Sequence, residues 1–419
     1  MSTQTIKTLR KQFPILDIEV HGNPLVYFDN AATTQKPHSV IDAVTDVYTS
    51  KNGSLHRSAH YLAAQAEQVY KELQMKLFSF FNSTPAIYDV IITRNTTEAI
   101  NLFAQSFFYH SLITKKQPSE KNTILVSEQE HNSNLLPWLR LHNDFGGKVI
   151  TIPNREDETI DASLAKRMIN LYRENLALIS LTHISNVIGK INDVESIIEA
   201  AHEYNIPVLI DGAQSAGHIP VSLNDMHADM YTASGHKMYG PAGIGFLFVK
   251  KEILKKMAPF LVGGGMVENL NNYSFTPRDS AVRFHAGTQS VESMAGLSAA
   301  IEFLSTIGMT NVQQHEQELV HYFLERLQKL PLEIIGGKTE EKKTGIFSFT
   351  APLHPHDLAD LFDEKGVAVR AGNHCAHMLH QKKEIPVTTR VSFGIYNTTE
   401  EIDSFFEILE DIISRYEAK

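Results

Sequence analysis

Residues 207–218 read PVLIDGAQSAGH, an apolar run that ends at Ile210 and is followed at once by Asp211. Such a run is typical of a strand that is buried on both faces of a mainly parallel sheet. In open α/β sheets, ligands bind beyond the carboxyl ends of the strands, so a carboxylate at this place faces a crevice. Taken alone, the same aspartate also suits a turn or a helix N-cap.

Similar strand-like runs recur at residues 123–126, 149–152, 176–181 and 244–249. Amphipathic segments lie between them. One begins at Asp161 and the next at Asn192 or Asp193, which we predict to be N-caps. Strands that alternate with helices predict the α/β class.

The pattern changes after about residue 295. We predict two helices, at residues 293–304 and 312–330, with Asn311 as the N-cap of the second. Short predicted strands follow at residues 332–335, 346–350, 367–370 and 389–393, and a final helix begins near Thr399. This part of the chain predicts a smaller α+β domain.

The composition excludes several classes of function. The 419 residues carry a formal net charge of −10, which argues against nucleic acid or an anionic membrane as the main partner. The single cysteine excludes an intramolecular disulfide and fits a reducing cytosol. The first residues lack the apolar run of a signal peptide, and no later segment is apolar enough to span a bilayer. We therefore expect a cytoplasmic protein.

Polar side chains follow two further predicted strands. Thr96 and Thr97 come after a strand that ends near Thr93 and precede a helix, where hydroxyls suit either a phosphate site or a plain N-cap. His131, in SEQEHNSNLLPW, follows the run at 123–126. Taken singly, a histidine at such a place is more often structural than functional.

A third polar segment is the turn Ser-Gly-His-Lys, at residues 234–237. Ser234, His236 and Lys237 can present a hydroxyl, an imidazole and an amine to one anion. A lone loop lysine is usually a solvated charge. The order of the chain favours the anion site here. A strand is followed by Asp211, then by this turn, and then by a glycine-rich segment that leads into the next strand.

The segment RAGNHCAHMLH, residues 370–380, holds the only cysteine, Cys375. A free cysteine can be a nucleophile, a metal ligand or an inert apolar filler. The possible ligands His374, Cys375, His377 and His380 lie closer together than those of usual zinc sites, which form two separated pairs. We predict no metal site.

Eight short motifs in this order resemble those of the cysteine desulfurases: TTE, EHxxN, SNVxG, DGAQ, SxHK, RFxAGT, RxGxHCA and RxS. The resemblance runs from YFDNAATT near residue 27 to YNTTEEID near residue 403. Cysteine desulfurases are pyridoxal phosphate (PLP) enzymes of fold type I, the aspartate aminotransferase-like fold. The resemblance is greatest to the SufS-type branch, which includes selenocysteine lyase-like enzymes.

This resemblance implies the organisation of the chain. We expect a large PLP-binding domain at residues 26–294, with a mainly parallel seven-stranded sheet. A small C-terminal domain at residues 295–419 would carry Cys375, and the N-terminal segment 1–25 would pack with it.

The resemblance also implies how PLP is held. Lys237 matches the lysine that binds PLP covalently and later moves the Cα proton, and Asp211 matches the carboxylate that pairs with the pyridine nitrogen. Gln214 matches the partner of the phenolic oxygen, and His131 matches the imidazole that stacks on the ring. The implied phosphate-binding residues are Thr96, Thr97, Ser234, His236 and Thr288, the last reaching across a homodimer.

For the substrate, L-cysteine, the resemblance implies a second set of residues. Asn186 and Arg390 match the groups that bind its carboxylate. His56, Arg370 and His374 match further active-site positions. Cys375 matches the nucleophile that takes sulfur as a persulfide and leaves L-alanine. Our hypothesis is that His374, Arg370 and any PLP-linked charge help to keep the thiol ionised. A SufE- or SufU-like acceptor and iron–sulfur cluster assembly would follow.

The cysteine segment departs from the family pattern. Asn373 replaces a histidine, and His377-Met378 replace Gln-Pro, which puts the mobility of the loop and the choice of acceptor in question. Selenocysteine lyase and another PLP-dependent class V reaction remain alternatives, since the PLP residues would be alike. A protein that has lost its chemistry is the third alternative, but Lys237, His131 and Cys375 are all present.

Overall fold

The computed structural model describes residues 3–55, 59–109, 121–328, 330 and 332–417. The strands are β1 (Glu19–Val20), β2 (Asn23–Pro24), β3 (Val26–Tyr27), β4 (Tyr88–Thr93), β5 (Thr123–Ser127), β6 (Lys148–Ile152), β7 (Leu176–Thr182), β8 (Val208–Asp211), β9 (Met230–Ser234), β10 (Gly245–Lys250), β11 (Val267–Leu270), β12 (Phe275–Pro277), β13 (Glu333–Ile335), β14 (Ile346–Thr350), β15 (Val367–Ala368), β16 (Arg370–Gly372) and β17 (Thr388–Ser392).

The helices lie between these strands and after them. They are α1 (Thr3–Arg10), α2 (His38–Asp46), α3 (Tyr61–Phe80), α4 (Thr96–Phe103), α5 (Leu136–Phe145), α6 (Ala162–Tyr172), α7 (Val194–His202), α8 (Leu223–Met226), α9 (Lys251–Leu254), α10 (Val291–Ile307), α11 (Met309–Leu327), α12 (Pro355–Asp363), α13 (His377–Lys383) and α14 (Thr399–Glu417). Short 3₁₀ turns occupy Pro14–Asp17, Asn132–Asn134, Gly235–Lys237 and Ala281–Phe284, and π-helical turns occupy Val47–Lys51 and Ala104–Tyr109.

The large sheet has seven strands in the order β4-β10-β9-β8-β7-β5-β6. Neighbours from β9 to β6 pair in parallel, whereas β10 is antiparallel to both β4 and β9. The predicted α/β class and mainly parallel seven-stranded sheet are therefore confirmed. All seven residues of β7 are buried, which is why this run shows no polar alternation.

Apolar periodicity did not distinguish every local feature of this sheet. β10 is as apolar as the parallel strands, yet it runs antiparallel to β9, to which residues 235–244 connect it. β9 itself, MYTAS, was not among the predicted strands, because its buried face includes Thr232 and Ser234. Direction and the burial of small polar residues depend on sheet neighbours, which the local sequence does not specify.

The predicted helix starts were partly right. Asp161 and Asp193 are N-caps. Their side chains accept hydrogen bonds from the N–H groups of Leu164 and Ser196, respectively. The prediction for Asn311 was wrong, since α11 already begins at Met309. The amide of Asn311 instead donates at 2.7 Å to the carbonyl of Ile307, the last residue of the preceding helix α10. An asparagine can bond back to the preceding turn as well as cap a helix, so the residue type alone did not decide.

The C-terminal part forms a second sheet and a second core. The order of its four strands is β13-β14-β17-β16, and all pairs are antiparallel. Its core packs Phe323 of α11 and Phe405 of α14 against Phe347 and Phe393. β16 leads directly to the segment that holds Cys375.

The N-terminal segment touches the C-terminal part as well as the main core. Phe13 packs edge-on to Tyr396 at 4.7 Å and to Tyr239 at 6.0 Å between ring centroids. Arg10 pairs with Glu401 of α14 at 2.6 Å.

α10 packs its apolar face into the core of the large sheet. The division at residues 25 and 294 stays a proposal. Among the helices that the structure describes, none is both long enough and apolar enough to cross a membrane.

Candidate active site

One cleft collects the segments that follow the carboxyl ends of β4, β5, β7, β8 and β9. It has a volume of about 230 Å³. Among its lining residues are these predicted ones: Thr96, Thr97, His131, Asn186, Asp211, Gln214, Ser234, His236, Lys237, Arg370, His374, Cys375 and Arg390. The convergence has a topological cause, because these strands point the same way and their ends share one edge of the sheet.

Two of the predicted site residues, Thr288 and His56, are not among the described residues that line this cleft. Thr288 is exposed and does not line the cleft of its own chain. His56 lies outside the described residues.

Lys237 and Asp211 form the charged floor of the cleft. Burial lowers the pKa of Lys237 to about 8, against the opposing charge of Asp211. Burial raises the pKa of Asp211, while the Ala213 N–H, which it accepts at 2.9 Å, and the charge of Lys237 act in the other direction. The Lys237 amine makes no hydrogen bond to the described residues, so it is free to react.

The start of α4 forms one wall of the cleft. We predicted that Thr96 and Thr97 precede this helix, but both threonines lie in its first turn. The N-cap is Asn95, whose side-chain oxygen accepts a hydrogen bond from the Glu98 N–H at 2.8 Å. The Thr96 hydroxyl lies 2.8 Å from that of Ser234. A helix start with hydroxyl groups is a site for an anion.

Gly245 allows this wall to come close to the sheet. A Cβ at this position would lie 2.8 Å from the Cα of Asn95 and 2.8 Å from the carbonyl oxygen of Ala233. A side chain would therefore push the start of α4 away from β9 and β10. The glycine keeps the α4 hydroxyls within reach of Ser234.

His131 is held as a neutral ring. Burial lowers its pKa to about 3, and the nearby charges of Lys237 and Arg390 act in the same direction. Its Nδ1 accepts the Ser133 N–H at 3.1 Å, so the ring proton resides on Nε2. The ring can therefore donate one hydrogen bond into the cleft.

Glu130 holds the turn that contains His131 in place through buried hydrogen bonds. The sequence analysis gave this residue no role. Its carboxyl group is fully buried, and it accepts hydrogen bonds from the Ser127 hydroxyl at 2.5 Å, the Thr182 N–H at 2.9 Å and the Asn134 amide at 2.6 Å. Burial raises the pKa of Glu130 to about 8, although these donors act in the other direction. The network ties the turn to β5 and β7. Only the motif EHxxN pointed to it in the sequence.

Arg390 and Asn186 lie together at the side of the cleft. Arg390 is almost completely buried on β17 and donates to the carbonyl of Asn186 at 3.1 Å and to Asp29 at 3.0 Å. Its Nε has no partner among the described residues. Arg370 lies 3.8 Å from the second oxygen of Asp29. Asp29 thus orients both arginines, a role that the sequence analysis missed although YFDNAATT was part of the resemblance.

Cys375 is exposed and lines the same cleft as Lys237. It and His374 both have left-handed backbone angles, with φ of +56° and +52°. This conformation costs a non-glycine residue about 1–2 kcal/mol. The segment is held by hydrogen bonds from the Asn186 amide to the carbonyl of His374 at 2.7 Å and from the Asn132 N–H to that of Cys375 at 2.7 Å.

His374 does not supply the positive charge that we expected beside the thiol. Burial lowers its pKa to about 2, with the charge of Arg390 acting in the same direction, so the ring is neutral. Its Nε2 lies 2.9 Å from the Thr388 hydroxyl. The expectation that His374 keeps the thiol ionised is therefore wrong, and Arg370 is the remaining cation of that pair.

The comparison with protein families matches residues 26–405 to the class-V aminotransferases. The chain is 39% identical over 403 residues to a protein of Halalkalibacterium halodurans described as a probable cysteine desulfurase, which covers 96% of each chain. It is 36% identical over 412 residues to a cysteine desulfurase of Escherichia coli, which covers 98% of each.

Two solved structures are similar over nearly the whole chain. The apo structure of the cysteine desulfurase from Thermococcus onnurineus matches with a TM-score of 0.89 at 32% identity, over 97% of this chain and 98% of that one. The S-sulfonic acid form of a cysteine desulfurase from Escherichia coli matches with a TM-score of 0.86 at 32% identity, over 98% of both. This chain belongs to the class-V aminotransferase family, together with proteins described as cysteine desulfurases.

Proposed function

We propose that this protein is a PLP-dependent cysteine desulfurase, which moves sulfur from L-cysteine to Cys375 and releases L-alanine. One observation carries the proposal: the only cysteine of the chain lies exposed in the same cleft as Lys237 and Asp211. An aminotransferase would need the lysine and the aspartate, but it has no use for a thiol at this place.

The residues of the cleft fit PLP. Lys237 would bind it covalently, and Asp211 would pair with its ring nitrogen. The phosphate would bind at the start of α4, to Thr96, Thr97, Ser234 and His236. Gln214 would bind the phenolic oxygen: its amide donates to the Ala31 carbonyl at 2.9 Å, which leaves a second N–H free, while its buried oxygen has no partner among the described residues. When bound, PLP withdraws electrons from Cα of the substrate and weakens its neighbouring bonds.

The side chains of this protein then perform the remaining steps. Arg390 and Asn186 bind the substrate carboxylate, for which the Nε of Arg390 is a free buried donor. Lys237, as a neutral amine, takes the Cα proton. His131 would stack on the PLP ring and donate a hydrogen bond from Nε2.

Sulfur transfer uses the thiolate of Cys375. It attacks Sγ of the substrate, so that a new S–S bond forms while the Cβ–Sγ bond breaks. The electron pair of the broken bond stays with Cβ, which takes a proton and becomes the methyl group of alanine. The sulfur atom remains as a persulfide on Cys375, and Arg370 supplies a positive charge near the thiolate.

Two finer parts of the proposal concern partners. We propose a homodimer in which Thr288 reaches the other subunit's PLP phosphate, since Thr288 is exposed and outside its own cleft. The exposed apolar side chains of the β11–β12 hairpin, Leu270 and Tyr273, support such an interface.

We also propose membership of the SufS-type branch, with a SufE- or SufU-like acceptor supplying iron–sulfur cluster assembly. A reducing compartment such as the cytoplasm suits a free catalytic thiol.

The second candidate function is selenocysteine lyase or another class V reaction on the same cleft. The thiol of Cys375 does not separate sulfur from selenium as the leaving atom. A substrate comparison between L-cysteine and L-selenocysteine separates them.

The test measures alanine and sulfide release from L-cysteine in the presence of added thiol, for the wild type and for Cys375→Ala, with Cys375→Ser as the matched control. We expect all three proteins to show the visible band of bound PLP and only the wild type to release both products. A Cys375→Ala variant as active as the wild type would point to the second candidate. Absence of the PLP band in the wild type would contradict the cofactor assignment.

A further inference from the structure

His377 lies at the first position of α13, two residues after Cys375, and both of its ring nitrogens meet side-chain amides. Its Nε2 lies 2.9 Å from the amide of Asn373, and its Nδ1 lies 2.8 Å from the amide of Asn132. Asn373 precedes the cysteine in its segment, whereas Asn132 lies in the 3₁₀ turn after β5, next to His131. The imidazole therefore bridges the cysteine segment and the turn after β5.

The proton of the ring can be assigned from these contacts. The oxygen of the Asn373 amide already accepts the Cys375 N–H at 3.1 Å, so its nitrogen faces His377 and donates to Nε2. A neutral imidazole has one acceptor and one N–H, so Nδ1 carries the proton. In this structure the nitrogen of the Asn132 amide faces Nδ1 at 2.8 Å, and a half-turn of the amide, which exchanges its two ends, presents the oxygen as the acceptor.

This row of hydrogen bonds begins and ends on the backbone of Cys375. Its N–H donates to Asn373, and its carbonyl accepts the Asn132 N–H at 2.7 Å. The row Asn132–His377–Asn373 closes a ring around the strained residue, which we call the cysteine clasp. At the C-terminal end of α13, Lys382 pairs with Glu128 at 3.4 Å and Lys383 pairs with Glu158, so this end of the helix is also tied to the segments after β5 and β6.

We propose that His377 is a positioning residue: through the cysteine clasp it fixes where the Cys375 thiol stands relative to a substrate in the cleft. The proposal rests on the proposed function, because the thiol must reach Sγ of the bound substrate. It also explains the departure at Asn373 and His377 from the family pattern, since the two side chains complete one row of hydrogen bonds. A misplaced nucleophile slows the chemical step more than it weakens substrate binding.

The test replaces His377 and follows both activity and loop order. In His377→Ala we expect kcat for alanine release to fall by about tenfold, with KM within about twofold of the wild type. Deuterium uptake of the peptide that spans residues 370–380 should rise. His377→Gln should restore both, because one amide supplies a donor and an acceptor. His356→Ala, at an exposed histidine of α12, is the matched control.

A double-mutant cycle makes the test specific to the clasp. Asn132→Ala removes the side-chain contact but keeps the backbone N–H that binds Cys375. We expect it to resemble His377→Ala, and the double variant to be no worse than either single one. Three results would overturn the proposal: unchanged kcat and exchange in His377→Ala, a fall in kcat without a change in exchange, or effects that multiply in the double variant.

The exchange measurement also separates the two proposals. If the wild type releases no alanine from L-cysteine, the proposed function fails, yet deuterium uptake of the 370–380 peptide still decides whether His377 orders the loop. If alanine release is normal and His377→Ala behaves as the wild type in both measurements, only the positioning role fails.

Discussion

At the scale of single residues, burial decides the protonation states of the cleft. His131 and His374 are neutral because burial lowers their pKa values to about 3 and about 2. Lys237 is intermediate, since its pKa is lowered to about 8. At pH 7 about a tenth of the Lys237 side chains are then neutral amines, against far fewer for an exposed lysine with a pKa of about 10.4.

The covalent uptake of PLP by the PLP-free protein should therefore depend on pH in a characteristic way. Only the neutral amine reacts, so the uptake rate should rise between about pH 7 and pH 8 and level off above it. The growth of the visible absorbance band measures the rate. Lys237→Ala should give no covalent band. A rate that still rises steeply up to pH 10 would mean that burial does not activate this lysine.

At the scale of elements, a buried ion pair joins α11 to the segment after β8. Glu316 of α11 lies 2.9 Å from His218, and its other oxygen accepts the Gly345 N–H at 2.5 Å. Burial opposes the charged imidazole, but the Glu316 carboxylate outweighs it and raises the pKa of His218 above 6.5. The loop that carries Gln214 is thereby fastened to a helix that also contributes to the second core.

Glu316→Ala should lower the free energy of unfolding by about 3–5 kcal/mol, because it leaves a buried group without its partner. Urea unfolding measures the loss. Glu325→Ala, which removes an exposed ion pair with His321 on the same helix, should cost less than about 1 kcal/mol.

The pH dependence of this loss has a definite sign. The pKa of His218 is about 6.5 in the unfolded chain and higher in the folded protein. Its charged form therefore stabilises the folded protein fully below about pH 6.5, and this contribution is lost as the pH rises through the pKa of the folded state. The difference between the wild type and Glu316→Ala should therefore shrink above about pH 6.5. A difference that grows with pH would contradict the charged state of His218.

At the scale of the whole molecule, exposed apolar side chains mark the face that we propose as the dimer interface. On the β11–β12 hairpin, Leu270 is 76% and Tyr273 98% exposed. Thr288, which lies outside its own cleft, follows the hairpin along the chain. Side chains of this size are seldom left in water together on a monomer.

Charged residues at this face should separate the subunits. Tyr273→Asp combined with Leu270→Asp should shift the protein towards monomer in sedimentation velocity and weaken retention of PLP, because Thr288 would no longer reach a second cleft. Leu171→Asp is the matched control, at a 72% exposed leucine of α6. A double variant that sediments as the wild type would exclude this hairpin from the interface.

The sequence by itself determined the class of the fold and most strands of the two larger sheets, whereas the full set of cleft residues was expected from the resemblance to a family. The carboxyl ends of parallel strands share one edge of the sheet, which indicated that Asp211 and His131 could face one crevice, and the resemblance then added Thr96 and Lys237. Cys375 joined them only through resemblance to a family, since no local pattern shows what a lone cysteine faces.

The tertiary structure alone decided the properties that depend on neighbours distant in sequence. These are the direction of β10, the neutral state of His374, and the contacts of Asp29 and His377. The physical reason is common to all of them. Strand direction, protonation and hydrogen bonding are set by burial and by partners that the chain brings close only when it folds.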